Sequence, residues 1–163
     1  MITERKVAIV TGGGTGIGRT ISLKLAQEGC VVAVVYSRSA TEAEETVNLK
    51  GTFNCCRAAA PYLRATQGSA IVNVGSIAGE TGYGLTKSLA RVLAPQVRVN
   101  CVAPGAVATR WWSGYEEKMR MLSGVLPLQR ISTPEDIAES VFLLLTSQSV
   151  TAQILKAENG QTL

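Results

Sequence analysis

Four short apolar runs limit what this chain can fold into more than any other feature: VAIV at 7–10, VVAVVY at 31–36, AIVNV at 70–74 and VRVNCVA at 97–103. Each is rich in Val and Ile and nearly continuous rather than alternating, which is the pattern of strands buried on both faces of a parallel sheet. Helical patterns separate them. IGRTISLKLAQEG (17–29) closes on Gly29, GTFNCCRAAAPYLRA (51–65) is apolar at helical spacing, and TKSLARVLA (86–94) is amphipathic. Near the end, TPEDIAESVFLLLT (133–146) opens with Thr133 as N-cap, Pro134 at the first helical position and acids in the first turn. Strand and helix in alternation predict an α/β fold, a doubly wound parallel sheet in a single domain, which is what 163 residues can support. No internal repeat, low-complexity tract or interdomain linker interrupts it.

Composition then removes several kinds of chemistry. The chain has no histidine, so Ser-His and Cys-His catalysis are unavailable, and acid-base work falls to Tyr, Lys, Asp or Glu. Its four cysteines, Cys30, Cys55, Cys56 and Cys101, contain no C-x-x-C pair, so they read as small buried thiols and no metal site is expected. A net charge of +4 is mild, and the Lys and Arg residues form no stripe with interleaved aromatics, so nucleic acid is not an expected partner. No apolar run is long enough to cross a membrane. The opening MITERKVAIV passes from charged residues into a strand without a signal-peptide core, so a cytoplasmic location is expected.

The first strand runs into TGGGTGIGRT (11–20) and then a helix. Glycines there allow a tight turn and a close approach of backbone to a phosphate, and the helix start offers free N–H groups at its positive end. A P-loop would need G-x-x-x-x-G-K-S/T, and GGTGIGRT misses it by one residue, with Arg19 in place of Lys. No register fits G-x-G-x-x-G either. The spelling that fits is T-G-x-x-x-G-x-G, on Thr11, Gly12, Gly16 and Gly18.

With that loop the chain resembles the short-chain dehydrogenase/reductase family, and the likeness continues to the end of the chain. VNLKGTFNCCRAAAPYL is similar to the family's central helix, opening on an Asn that holds a proton-relay water, here Asn48. GSAIVNVGSIAG is similar to the strand and loop that deliver the catalytic Ser, here Ser76. VRVNCVAPGAVAT is similar to the stretch around the nicotinamide, with Pro104, Gly105 and Thr109 in coenzyme-contacting positions. PLQRISTPEDIAESVFLLLT and the residues after it are nearest the 3-oxoacyl-[acyl-carrier-protein] reductase type. The resemblance implies a Rossmann-like fold and hydride transfer to or from a carbonyl or secondary alcohol. It also implies coenzyme contacts from Gly12, Thr15, Gly16, Ile17 and Gly18, a small-molecule substrate, and a homotetramer or dimer built through the central helix and the active-site helix.

Coenzyme choice turns on the end of the second strand, where a carboxylate would bond the ribose hydroxyls of NAD. Tyr36, Ser37 and Arg38 stand there instead. Arg38 can make charge-assisted bonds to a 2′-phosphate and Ser37 adds a hydroxyl, which favours NADP(H) over NAD(H). Arg38 as a solvated loop residue is the alternative.

Two departures from the family pattern follow. Tyr83 and Lys87 in ETGYGLTKSLAR have the i, i+4 spacing of a proton-transfer pair. The family, however, separates its Ser and Tyr by about a dozen residues, whereas Tyr83 follows Ser76 by seven, and GLTKSLAR is similar to the second half of the active-site helix. Tyr83 and Lys87 then read as residues beside a join, with the catalytic pair outside these 163 residues. Upstream, SATEAEETV is similar to the helix after the second strand and NLKGTF to the helix two strands later, so the third and fourth strands are absent between Val47 and Asn48. The sequence is expected to join segments of a longer chain, near 47/48 and within 81–85; a real internal deletion, leaving a non-catalytic nucleotide-binding or scaffold protein, is the alternative. In the loop RWWSGYEEKMRML (110–122), Trp111, Trp112 and Tyr115 stand where the family builds its substrate lid, either as an apolar wall there or packed on a neighbouring subunit.

Overall fold

The computed structural model describes residues 6–35, 45–79 and 81–163, with 45–49, 81 and 82 as helical backbone. Strands and helices alternate in the predicted order: β1 (Val7–Thr11), α1 (Gly16–Gln27), β2 (Val31–Val35), α2 (Glu45–Arg64), β3 (Ser69–Val74), α3 (Thr81–Leu93), β4 (Val97–Pro104), a 3-10 turn (Arg110–Trp112), α4 (Glu116–Val125), α5 (Pro134–Thr146) and β5 (Ile154–Ala157). β1 pairs with β2 and β3 with β4, both parallel. They form two sheets, β1-β2 and β3-β4-β5, rather than one. The break falls between β2 and β3, where the resemblance implies two absent strands. α2 runs unbroken across Val47 and Asn48, and α3 across 81–85, so the positions of both expected joins fall inside continuous helices.

The chain divides into two compact units. The first comprises residues 1–39, 105–142 and 157–163, and in it α1 packs on the β1-β2 pair through Ile21 and Leu25. Expected burial on both faces fails here: Val7 is 72% and Ile9 67% exposed, because a two-stranded sheet with one covering helix leaves its second face bare. Lys24 on α1 pairs with Glu28 at 2.9 Å and lies over the Phe142 ring of α5.

The second unit, 40–104 and 143–156, carries the continuous core the sequence promised. β4 is buried almost throughout, and Val97 and Val99 meet Ala90 and Leu93 of α3, flanked by Ala60 and Leu63 of α2. Of the four thiols, all free, Cys56 and Cys101 are buried as expected, whereas Cys55 is exposed because adjacent helical residues point about 100° apart.

The start of α5 forms with Thr133 as N-cap, as read from the sequence, and the structure adds a return bond from the first turn that completes a capping box. Thr133 Oγ1 accepts from Asp136 N at 3.2 Å while Asp136 Oδ2 accepts from Thr133 N at 2.7 Å. Arg130 donates to both Asp136 oxygens, which holds that carboxyl below its ordinary range.

Candidate active site

The glycine loop lies in the first unit, where β1 hands over to α1. Gly12 sits at φ +70, a conformation open to glycine at no steric cost. Gly18 solves a different problem. A Cβ there would run into the Gly12 carbonyl oxygen and lie 2.8 Å from the Gly12 carbonyl carbon and 3.2 Å from Gly13 Cα. Only hydrogen fits at that crossing of helix and loop. Thr15 takes the N-cap position with extended backbone but makes no side-chain capping bond, so the first-turn N–H groups, those of Gly16, Ile17 and Gly18 among them, lack that acceptor. Exposed glycine backbone, uncapped N–H groups and the positive helix end fit the diphosphate of a dinucleotide. Tyr36, Ser37 and Arg38 lie outside the described residues.

Also in the first unit, Gly105 N donates to the Ala157 carbonyl at 3.1 Å, and a Cβ on Gly105 would meet Glu158 Cβ at 2.7 Å. Thr109 caps the 3-10 turn, accepting from Trp111 N at 3.4 Å. Trp111 and Trp112 meet edge to face at 5.1 Å, Trp112 Nε1 donates to the Val107 carbonyl, and Trp111 stays largely exposed.

Ser76 belongs to the second unit, on the loop beyond β3. Two backbone bonds tie that loop to β4: Gly75 N to the Val102 carbonyl at 2.9 Å and Ile77 N to the Pro104 carbonyl at 3.1 Å. Ser76 Oγ is exposed and accepts from Ala78 N at 3.2 Å. The structure does bring Tyr83 to Ser76, but to its main chain: Tyr83 Oη donates to the Ser76 carbonyl at 2.9 Å. Lys87, one turn on, is exposed. Asn48 lies in the helical backbone of α2, its side chain outside the described part. Missing from the sequence reading were Asn73 and Thr86, joined by a 3.0 Å hydrogen bond beneath the Ser76 loop; a polar Asn inside the apolar run AIVNV was the available signal.

Among the described residues, no three His, Cys, Asp or Glu side chains group as a metal site, and no helix is long and apolar enough to cross a membrane.

Comparison with known proteins adds the following. A sequence profile described as short chain dehydrogenase matches residues 6–47 and 42–120, and one described as Enoyl-(Acyl carrier protein) reductase matches 83–162. The short-chain dehydrogenase/reductase homolog YusR of Bacillus subtilis is 50% identical over 129 residues, spanning 71% of this chain and 100% of that protein. Carbonyl reductase family member 4 of Xenopus tropicalis is 38% identical over 130 residues, 71% of this chain but 54% of the reductase, so the match spans about half of that relative. The 3-oxoacyl-[acyl-carrier-protein] reductase FabG of Staphylococcus aureus is 28% identical over 240 residues, covering 95% of this chain and 97% of FabG. Since this chain has 163 residues, FabG carries internal stretches with no counterpart here. Among solved structures, the aldohexose dehydrogenase of Thermoplasma acidophilum superposes with a TM-score of 0.82 at 21% identity, over 96% of this chain and 94% of that one. A small-chain dehydrogenase in complex with NADPH superposes with a TM-score of 0.78 at 19% identity, over 96% and 98%. These likenesses give the fold.

Proposed function

The chain belongs to the short-chain dehydrogenase/reductase family of oxidoreductases, and on that premise we propose that it is an NADP(H)-dependent reductase of a small carbonyl compound, or a dehydrogenase of the matching secondary alcohol. The observation that carries this reading is the glycine loop opening into the uncapped first turn of α1. When bound, the coenzyme supplies the hydride. The chain's own residues hold its diphosphate on the N–H groups of Gly16, Ile17 and Gly18, with the passage kept open by Gly12. Pro104, Gly105 and Thr109 line the nicotinamide end, and Ser76 Oγ polarises the substrate oxygen. Asn48 orders a water on the proton path. Ser37 and Arg38 choose the phosphorylated coenzyme, and a relative in the same fold, solved with NADPH, supports that choice.

The proton donor belongs to a stretch that these 163 residues pass over within 81–85, as the third and fourth strands are passed over near 47/48. Support comes from the short chain dehydrogenase profile, whose first matched piece ends at residue 47, and from alignments to FabG that outrun the chain. A cytoplasmic location and a homo-oligomer joined through α2 and α3 complete the reading.

Its test is coenzyme preference. Arg38→Asp should weaken NADPH binding about tenfold or more and shift preference toward NADH, since one charge-assisted pair is lost and a ribose acceptor is gained. Unchanged NADPH affinity would remove Arg38 from the site.

A second reading follows from Tyr83, whose hydroxyl is engaged with the Ser76 carbonyl. In that reading the 163-residue chain binds coenzyme without reducing ketones. The mass of the native polypeptide separates the two, a longer chain supporting the first reading and one of 163 residues the second, while steady NADPH oxidation on a ketone panel by the 163-residue chain would contradict both and place Tyr83 and Lys87 in the proton-transfer roles.

A further inference from the structure

Beneath the Ser76 loop runs a line of polar side chains that the proposed chemistry does not use. The Cys56 thiol of α2 lies 3.7 Å from Asn73 Oδ1, and Asn73 Nδ2 donates to Thr86 Oγ1 at 3.0 Å. Thr86 is fully buried and close enough to the Cys101 sulfur, itself 2% exposed, to bear on its thiol. Cys101 faces Asn73 across the β3-β4 ladder and approaches the Val102 carbonyl at 3.4 Å. That sulfur reaches the loop. A Cβ on Gly75 would lie 3.4 Å from it, and the Gly75 N–H donates to the Val102 carbonyl at 2.9 Å.

One hydroxyl joins these parts because it has one proton to give and lone pairs to receive. At Thr86 a lone pair takes the Asn73 amide proton, which leaves the hydroxyl's own proton available to the neighbouring sulfur. A methyl in its place would leave an Asn73 N–H without its acceptor and set an apolar group beside the Cys101 sulfur, and Cys101 would then be free to shift against Gly75. Side chains from α2, β3, α3 and β4 thus meet beneath the residue immediately before Ser76.

We propose that Thr86 is a positioning residue for Ser76, acting through Asn73 and Cys101 to fix the loop from which the Ser76 hydroxyl projects. The functional half of this rests on Ser76 polarising the substrate oxygen; the structural half does not.

Amide hydrogen exchange on Thr86→Val and Thr86→Ser tests it, read at Gly75 and Ile77 with Ile71 and Val99, ladder partners in the same sheet, as references. Thr86→Val should raise exchange at Gly75 and Ile77 about tenfold relative to the references, the ratio expected for one buried hydrogen bond lost locally. Thr86→Ser, which keeps the hydroxyl, should hold both within about twofold of the parent. Unchanged exchange in Thr86→Val overturns the proposal, and so does a Ser variant as loose as the Val variant, since packing of the methyl would then be what matters. If Thr86→Val does not fold, Cys101→Ala against Cys101→Ser puts the same question from the other end of the contact: loosening in Ala alone supports the proposal, and loosening in neither or in both overturns it. Exchange needs no turnover, so failure of the Ser76 reading registers separately, as ketone reduction by the longer chain that survives Ser76→Ala.

Discussion

Replacing Gly18 with alanine should abolish NADPH binding, lowering affinity by about a hundredfold or more, while the second unit keeps its fold. The methyl would be driven into the Gly12 carbonyl and against Gly13 Cα, all main-chain atoms that no rotamer change can move aside. Relief requires α1 to retreat from the loop, and the N–H groups of its first turn retreat with it. Their interaction with a phosphate depends on donor distances near 2.9 Å and on the helix end pointing at the charge, and both are lost over a shift of about 1 Å. Gly124→Ala is the control, because Gly124 is exposed, lies in the same unit away from the loop, and a Cβ there would meet nothing within 4 Å. Titration of each variant with NADPH, beside its circular dichroism, separates lost binding from lost fold. Equal NADPH affinity in Gly18→Ala and the parent would remove the loop from the site.

Arg98→Met should destabilise the protein by about 2–4 kcal/mol, the second large effect. Arg98 Nη1 donates to the Leu144 carbonyl at 2.9 Å and Nη2 to the Leu145 carbonyl at 2.7 Å, both in the last turn of α5, with the Val150 carbonyl at 3.5 Å. Carbonyls at a helix C-terminus have no partner within the helix and sit at the negative end of its dipole, so a guanidinium there satisfies hydrogen bonding and charge together. Burial lowers the Arg98 pKa, yet the group remains far above neutrality and charged. Methionine keeps much of the packing volume of the stem and removes every donor. Asn100, fully buried, carries the neighbouring bonds, donating to the Val150 carbonyl and accepting from Gln153 N. Segment 147–153 is therefore held to β4 by side chains, and in Arg98→Met it should loosen first. Urea unfolding measures the change; a midpoint within error of the parent would contradict this role.

How far the sequence revealed this molecule differs from element to element. β4 reads correctly because its apolar run is continuous and its burial is continuous. β1 and β2 have equally continuous runs yet expose Val7 and Ile9, since run composition records the sheet a strand suits and not whether neighbouring strands are present. The α5 N-cap was legible at Thr133 and Pro134 because capping is local chemistry. α2 begins earlier than its apolar spacing suggested, at Glu45, because 45–50 carries no helix breaker.

For the site, glycine spacing marks a candidate coenzyme loop, and Gly18 has the steric reason that spacing implies. Doubt about Tyr83 came from counting residues, and the geometry gives Tyr83 a definite partner that counting could not supply, the Ser76 carbonyl. Thr86 was seen only as part of a Thr-Lys-Ser string. Its importance depends on Asn73 and Cys101 meeting it from two strands, a long-range coincidence that no local pattern encodes.

The central claim is that this chain retains a working dinucleotide site, selective for the 2′-phosphate. Calorimetric titration of the 163-residue protein with NADPH and with NADH tests it most directly. The account predicts saturable binding of one NADPH per chain, about tenfold or more tighter than NADH, the margin of a charge-assisted phosphate contact. Absence of saturable binding, or equal affinity for the two coenzymes, would contradict it.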